Sequence, residues 1–144
     1  MGSNSMLIYG KHFHQFYYQE FQSLCRKYGL SQIEVDILLF LKNNPMFNTA
    51  RDICAMRGFA KSNVSKALEA LKAKGYIYSQ EDAESRKIHR LFLVPEEKTV
   101  IEELLVCQKS CFKSMLEGFS EEELALFQNF IRRIDENIVR RLKR

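Results

Sequence analysis

The 144-residue sequence predicts a mainly helical fold interrupted by one small β-hairpin, and three observations lead there. Apolar residues recur at three- and four-residue steps along most of the chain. That period switches to two only across Tyr76 to Val94. Gly29, Gly58, Gly75 and Gly118 each close an amphipathic stretch, where a helix stops most readily.

Along the first helix, Tyr9, Phe13, Phe16, Tyr17, Phe21, Leu24 and Tyr28 form an aromatic stripe. Ser31 followed by Glu34 is a capping-box pattern, and Ile33, Ile37, Leu38 and Leu41 give a second helix its buried face over about residues 32–43. Thr49 with Asp52 starts a shorter helix carrying Ile53 and Met56 and stopped by Gly58. A fourth helix runs from about Lys61 to Lys74 with Val64, Ala67, Leu68 and Leu71 inward. Two short helices joined at a glycine have the proportions of a helix-turn-helix.

Tyr76–Gln80 and Ile88–Val94 then read as strands joined by a charged tip, Glu81–Lys87. Pro95 suits the first turn of a new helix, with Glu96 and Glu97 complementing its dipole. Its apolar face is Ile101, Leu104, Leu105, Cys111, Phe112, Met115 and Leu116. Ser120 with Glu123 caps the last helix, where Leu124, Phe127, Ile131, Ile134, Ile138 and Leu142 make a coiled-coil-like seam ending in the basic run Arg140–Arg144.

Composition excludes several classes. With 46% hydrophobic residues, a core can form without disulfides or metal, and wholesale disorder is excluded. The longest apolar run, Ile37–Leu41, is far short of the roughly 18 residues that span a bilayer. No secretory signal is visible, so a cytoplasmic location is expected, with Cys25, Cys54, Cys107 and Cys111 reduced. One domain over residues 1–144 is expected, with Met1–Ser5 a short remnant outside the fold.

His12 and His14 are two apart, about 200° around a helix, and cannot clasp one ion, while His89 lies on a strand. Neither a nucleophile-base motif nor a glycine-rich phosphate loop occurs. No metal, cofactor or enzymatic activity is therefore expected.

Net charge is +4, and its location is informative. Between Arg51 and Arg90 nine basic residues face five acidic ones, which accounts for the whole excess. A basic centre between balanced ends suits a polyanion. On the fourth helix, the inward face leaves Lys61, Ser62, Asn63, Ser65, Lys66 and Glu69 outside on the first two turns. This short, polar, donor-rich face suits base edges in a major groove. Arg86 and Lys87 at the hairpin tip suit a narrow minor groove, with Asp82 and Glu84 placed to orient Arg86. Lys72, Lys74 and Arg90 read as phosphate contacts or solubility charges.

The stretch from Asp52 to Ile77, with Leu71-x-x-x-Gly75, followed by Asp82-Ala-Glu-Ser-Arg-Lys87, resembles the MarR family of winged helix-turn-helix transcription regulators. The similarity extends in position and amphipathicity from Tyr9 to Leu142. Departures include Ala60 where a capping Ser or Thr is common, Arg57 at a usually apolar position, Ser85 in place of a wing acid, and Val94-Pro95 in place of a Leu-Thr helix start.

The resemblance implies a DNA-binding lobe over 31–94, flanked by dimerisation helices over 6–30 and 95–144. It implies a homodimer packed through Phe13, Tyr17, Leu124, Phe127, Ile131 and Ile134, and binding to a palindrome-like duplex. Control by a small-molecule effector or by cysteine oxidation is also implied, near Tyr17, Phe21, Cys25 and Tyr28; the plainer reading is that these are packed core aromatics. Cys107 and Cys111 lie four apart on one helix face with nearly parallel Cβ vectors, so a disulfide between them would strain the helix; they read first as small buried residues and second, beside Lys109 and Lys113, as a thiolate redox switch. The alternative function is a winged-helix protein-interaction module without sequence-specific DNA binding.

Overall fold

The computed structural model describes residues 3–143, with side chains from Gly10 onward. Met1 and Gly2 of the expected remnant, the Tyr9 side chain and Arg144 lie outside the described residues. The elements are α1 (Ser3–Tyr28), α2 (Gln32–Asn43), α3 (Ala50–Arg57), α4 (Lys61–Ala73), β1 (Ile77–Glu81), β2 (His89–Leu93), a 3-10 turn (Pro95–Glu97), α5 (Lys98–Met115) and α6 (Glu121–Leu142). The fold is a winged helix-turn-helix with flanking helices.

The chain divides into two compact units, Met1–Cys111 and Phe112–Arg144. The first has a continuous core. Phe21, Ile37, Leu38, Ile53, Leu71 and Leu104, one or more from each of α1 to α5, are fully or almost fully buried, and Ile77 and Leu91 of the hairpin join them. Three capping boxes set helix starts: Ser31 with Glu34, Thr49 with Asp52, and, in the second unit, Ser120 with Glu123.

Gly75 closes α4 at φ 81°. Its N–H donates to Lys72 O at 3.1 Å and the Tyr76 N–H to Leu71 O at 2.9 Å, the paired bonds of a Schellman turn that require the left-handed region. Tyr76 is consumed by this turn, so β1 starts one residue later than the alternation suggests. The antiparallel register pairs Ile77 with Leu93 and Glu81 with His89.

Several expectations need correction. α1 extends upstream of Tyr9 to Ser3. Of the two apolar residues that α3 carries, Ile53 is buried and Met56 is 52% exposed. Pro95 begins a tight 3-10 turn ahead of α5 rather than α5 itself. The inward row of α5 holds for Ile101, Leu104 and Cys111 but ends there; Phe112 and Leu116, in the second unit, are exposed. Within that unit, α6 buries no residue.

Candidate nucleic-acid interface

Four side chains decide how α4 is presented. Val64, Ala67, Leu68 and Leu71 are buried, as their spacing predicts, and they fix the opposite face outward. Lys61, Ser62, Asn63, Ser65 and Lys66 are all exposed on its first two turns. Its start differs from those of α2, α3 and α6, because Ala60 has a capping backbone (φ −66°, ψ 139°) but no side chain to accept from the first turn.

A buried polar residue holds the hairpin beside α3. Asn48 accepts through its backbone oxygen from Leu91 N at 2.8 Å, and its Nδ2 donates to Leu91 O at 3.2 Å. Its Oδ1 accepts from Arg90 Nη1 at 3.1 Å, while Arg90 Nε donates to Asp82 Oδ1 at 3.1 Å. Asp82 Oδ2 accepts from the Glu84 N–H at 3.2 Å. The Arg90 bond, followed by the Glu84 N–H, holds the Asp82 carboxyl below the usual carboxylate range.

This network corrects two expectations. Asp82 orients Arg90, not Arg86, and Arg90 braces the wing through Asp82 and Asn48. Lys74 is also engaged. Its Nζ lies 2.7 Å from buried Glu34 Oε1 and donates to Gly29 O at 2.8 Å, tying the end of α4 to the start of α2. Arg57 reaches Asp36 of α2 at 3.9 Å and lies over the Phe59 ring, which accounts for a cation at a position expected to be apolar.

Three of the nine central cations, Arg57, Lys74 and Arg90, are thus paired internally. Among the described residues, Arg51, Lys61, Lys66, Lys72, Arg86 and Lys87 have no acidic partner within salt-bridge distance. The Arg86 and Lys87 side chains are exposed at the hairpin tip. Asn48, Asp82 and Arg90 are not legible as a unit in the sequence, where Asn48 lies 42 residues from Arg90 and shares no period with the hairpin.

The remaining residues singled out in the sequence fall in three settings. Phe13 is 37% exposed, whereas Tyr17 is buried and its hydroxyl accepts from Gln108 Nε2 at 3.2 Å. Burial first of all pushes the Tyr17 pKa up to about 12. Phe21 is fully buried, Tyr28 donates to Glu103 Oε2 at 2.5 Å, and the Cys25 thiol approaches Gln32 Oε1 at 4.0 Å. Tyr17 and Phe21 therefore fill the core rather than border an open crevice. A groove of about 570 Å³ lies alongside between α1 and α5, lined by Leu24, Lys27, Glu103, Val106 and Cys107 among others.

Leu124, Phe127, Ile131 and Ile134 lie in the second unit, where the last three are more than half exposed. All four cysteines are free thiols. Burial is the first cause that raises the pKa of Cys25, of Cys111, and of Cys107, which reaches about 11. Among the described residues, no cluster of metal-binding side chains occurs, and no helix is long and apolar enough to cross a membrane.

Residues 28–88, which cover α2 to the hairpin tip, match the family model described as MarR family. The uncharacterized HTH-type transcriptional regulator YsmB of Bacillus subtilis (strain 168) is 22% identical over 82 residues. That match covers 57% of this chain and 56% of YsmB, little more than half of the relative's length. Among solved structures, the transcriptional regulator SlyA has a similar fold, with a TM-score of 0.76 at 19% identity over 92% of this chain and 93% of that one. So does a candidate MarR family transcriptional regulator from Listeria monocytogenes complexed with 26mer DNA, with a TM-score of 0.77 at 16% identity over 96% of this chain and 89% of that one. Residues 28–88 thus match the MarR family in sequence, and the architecture around them is similar to these regulators in fold.

Proposed function

We propose that this protein is a cytoplasmic, homodimeric transcription regulator that reads double-stranded DNA in a sequence-specific manner, and that it acts as a repressor. The observation that carries this reading is the contrast among the central cations. Those that brace the fold are paired, while Lys61, Lys66, Arg86 and Lys87 face solvent together with Ser62, Asn63 and Ser65. Asn63 and Lys66 offer donors suited to adenine and guanine edges, each good bidentate contact giving roughly 1–3 kcal/mol of discrimination. Arg86 at the tip suits a minor groove, where width and negative potential attract a guanidinium.

A dimer would place two such helices about one DNA turn apart on a palindrome-like site. The exposed row Phe127, Ile131 and Ile134 supports this assembly. Of the two control devices, a small-molecule effector is favoured over oxidation. The thiols of Cys25, Cys107 and Cys111 are held away from the thiolate form, and the groove between α1 and α5 offers room for a ligand.

The deciding experiment is selection from a randomised duplex pool at about 150 mM salt, an ionic strength that suppresses purely electrostatic binding. An enriched palindrome is the expected result, and Lys66→Ala should weaken binding to it. Weak binding indifferent to sequence would instead favour a winged-helix module that binds a protein partner.

A further inference from the structure

The cleft between the start of α3 and β2 has two basic side chains, Arg51 and Lys87, that no internal contact engages among the described residues. It is lined by Thr49, Arg51 and Asp52 on one side and by Lys87, His89 and Arg90 on the other, with a volume of about 520 Å³. Its walls are fixed by the Asn48 bonds to Leu91 and Arg90, which hold β2 against the residues that begin α3. His89 shares the strand face of Leu91, which is buried, so alternation turns His89 toward the α3 side.

The charges divide into those already engaged and those still open. The Asp52 carboxylate accepts from the Thr49 N–H at 3.2 Å within the capping box, and Arg90 is held by Asp82 and Asn48. Arg51 and Lys87 remain without an acidic partner among the described residues. His89 adds at least one imidazole N–H donor whichever form it takes. The guanidinium, the ammonium and the imidazole offer donors of the kind a tetrahedral phosphate accepts.

We infer that this cleft seats one backbone phosphate of the bound duplex, held by Arg51, Lys87 and His89, beside the tip that carries Arg86. The inference rests on the duplex-binding reading above and adds to it two contacts, Arg51 and His89, that position the wing without reading sequence. Because the seat is braced by Asn48, it would set the angle at which Arg86 enters the neighbouring groove.

The test uses the full chain, a labelled mixed-sequence duplex of about three helical turns, and affinities measured across a salt series. Arg51→Gln, His89→Gln and the double variant are compared with wild type and with Lys109→Gln, which removes a charge from α5 outside the site. All the cleft positions substituted are exposed, so thermal melting should be unchanged and serves as the folding control.

The double variant is expected to lose on the order of tenfold in affinity. Its slope of log K against log salt should fall by up to about 0.9 per half-site, the value for one whole phosphate, because Lys87 still faces it. The two single substitutions should be non-additive, because they share that phosphate. Lys109→Gln should match wild type. A double variant that binds with the wild-type slope and affinity overturns the seat while leaving the DNA-binding reading intact. Wild type that binds no duplex overturns both.

Free anion is the remaining source. If inorganic phosphate at millimolar concentration moves the His89 ring resonances while the duplex leaves them unmoved, the cleft serves a small anion and the duplex assignment fails.

Discussion

Glu34 and Asp36 are neighbours on α2, equally buried, and unequally served. Glu34 has the Ser31 cap and Lys74 at 2.7 Å, whereas Asp36 has Gln32 Nε2 at 3.1 Å and only a distant Arg57 at 3.9 Å. Desolvation therefore pushes the Asp36 carboxyl above the usual range, against the opposing pull of Gln32, Arg57 and His14. A folded-state pKa raised above the unfolded one means that the acid contributes fully below the unfolded pKa and loses that contribution as pH rises through the folded one. Asp36→Asn removes the charge and keeps an acceptor for Gln32, so it should stabilise the protein at neutral pH and do little near pH 4. Urea unfolding at the two pH values checks this; a loss at neutral pH would mean that Arg57 outweighs desolvation. At the start of α4, Ala60 already has the cap backbone, and Ala60→Ser supplies the missing acceptor for the Asn63 N–H. A gain of about 1 kcal/mol is expected in the same measurement.

At the scale of elements, the hairpin shows both what the sequence discloses and what it withholds. Alternation located both strands within one residue, the three capping boxes located helix starts, and the spacing of Val64, Ala67, Leu68 and Leu71 defined the outward face of α4. These are local signals, because a period or a cap is complete within a few residues. The brace is not local. Asn48 and Arg90 are 42 residues apart, and nothing near either one distinguishes it from a loop asparagine or a solubility charge. The same blindness misassigned Asp82 to Arg86. Arg90→Met should therefore leave the core intact yet weaken duplex binding several-fold, because the wing loses its tie to Asn48 and Asp82. Amide hydrogen exchange supplies the independent readout: faster exchange confined to residues 82–90 is expected, and unchanged exchange with unchanged affinity would remove the brace from the account.

For the whole molecule, the decisive feature is the apolar surface of the second unit. Phe127, Phe130, Ile131, Ile134 and Ile138 of α6 are each about half exposed, and a hollow of about 480 Å³ lined by Leu116, Phe119, Leu124 and Phe127 opens beside them. The steps of three and four residues that predicted a seam are present, but α6 has nothing to pack into within its own unit. That is why sequence periodicity could identify the face and not its occupant. A contiguous apolar patch on a chain with 28% charged residues calls for a partner, and a second copy of α6 is the self-complementary choice. Fully burying each Ile or Phe side chain contributes roughly 1.5–3 kcal/mol, so a few from each protomer can hold a dimer at micromolar concentration. Ile131→Glu places a charge in that seam and should convert a sedimenting dimer to monomer. It should also abolish the concentration dependence of melting and lower affinity for a palindromic site far more than for a half-site. Wild type that sediments as a monomer would assign this face to a different partner, and paired half-sites would then no longer be expected from selection.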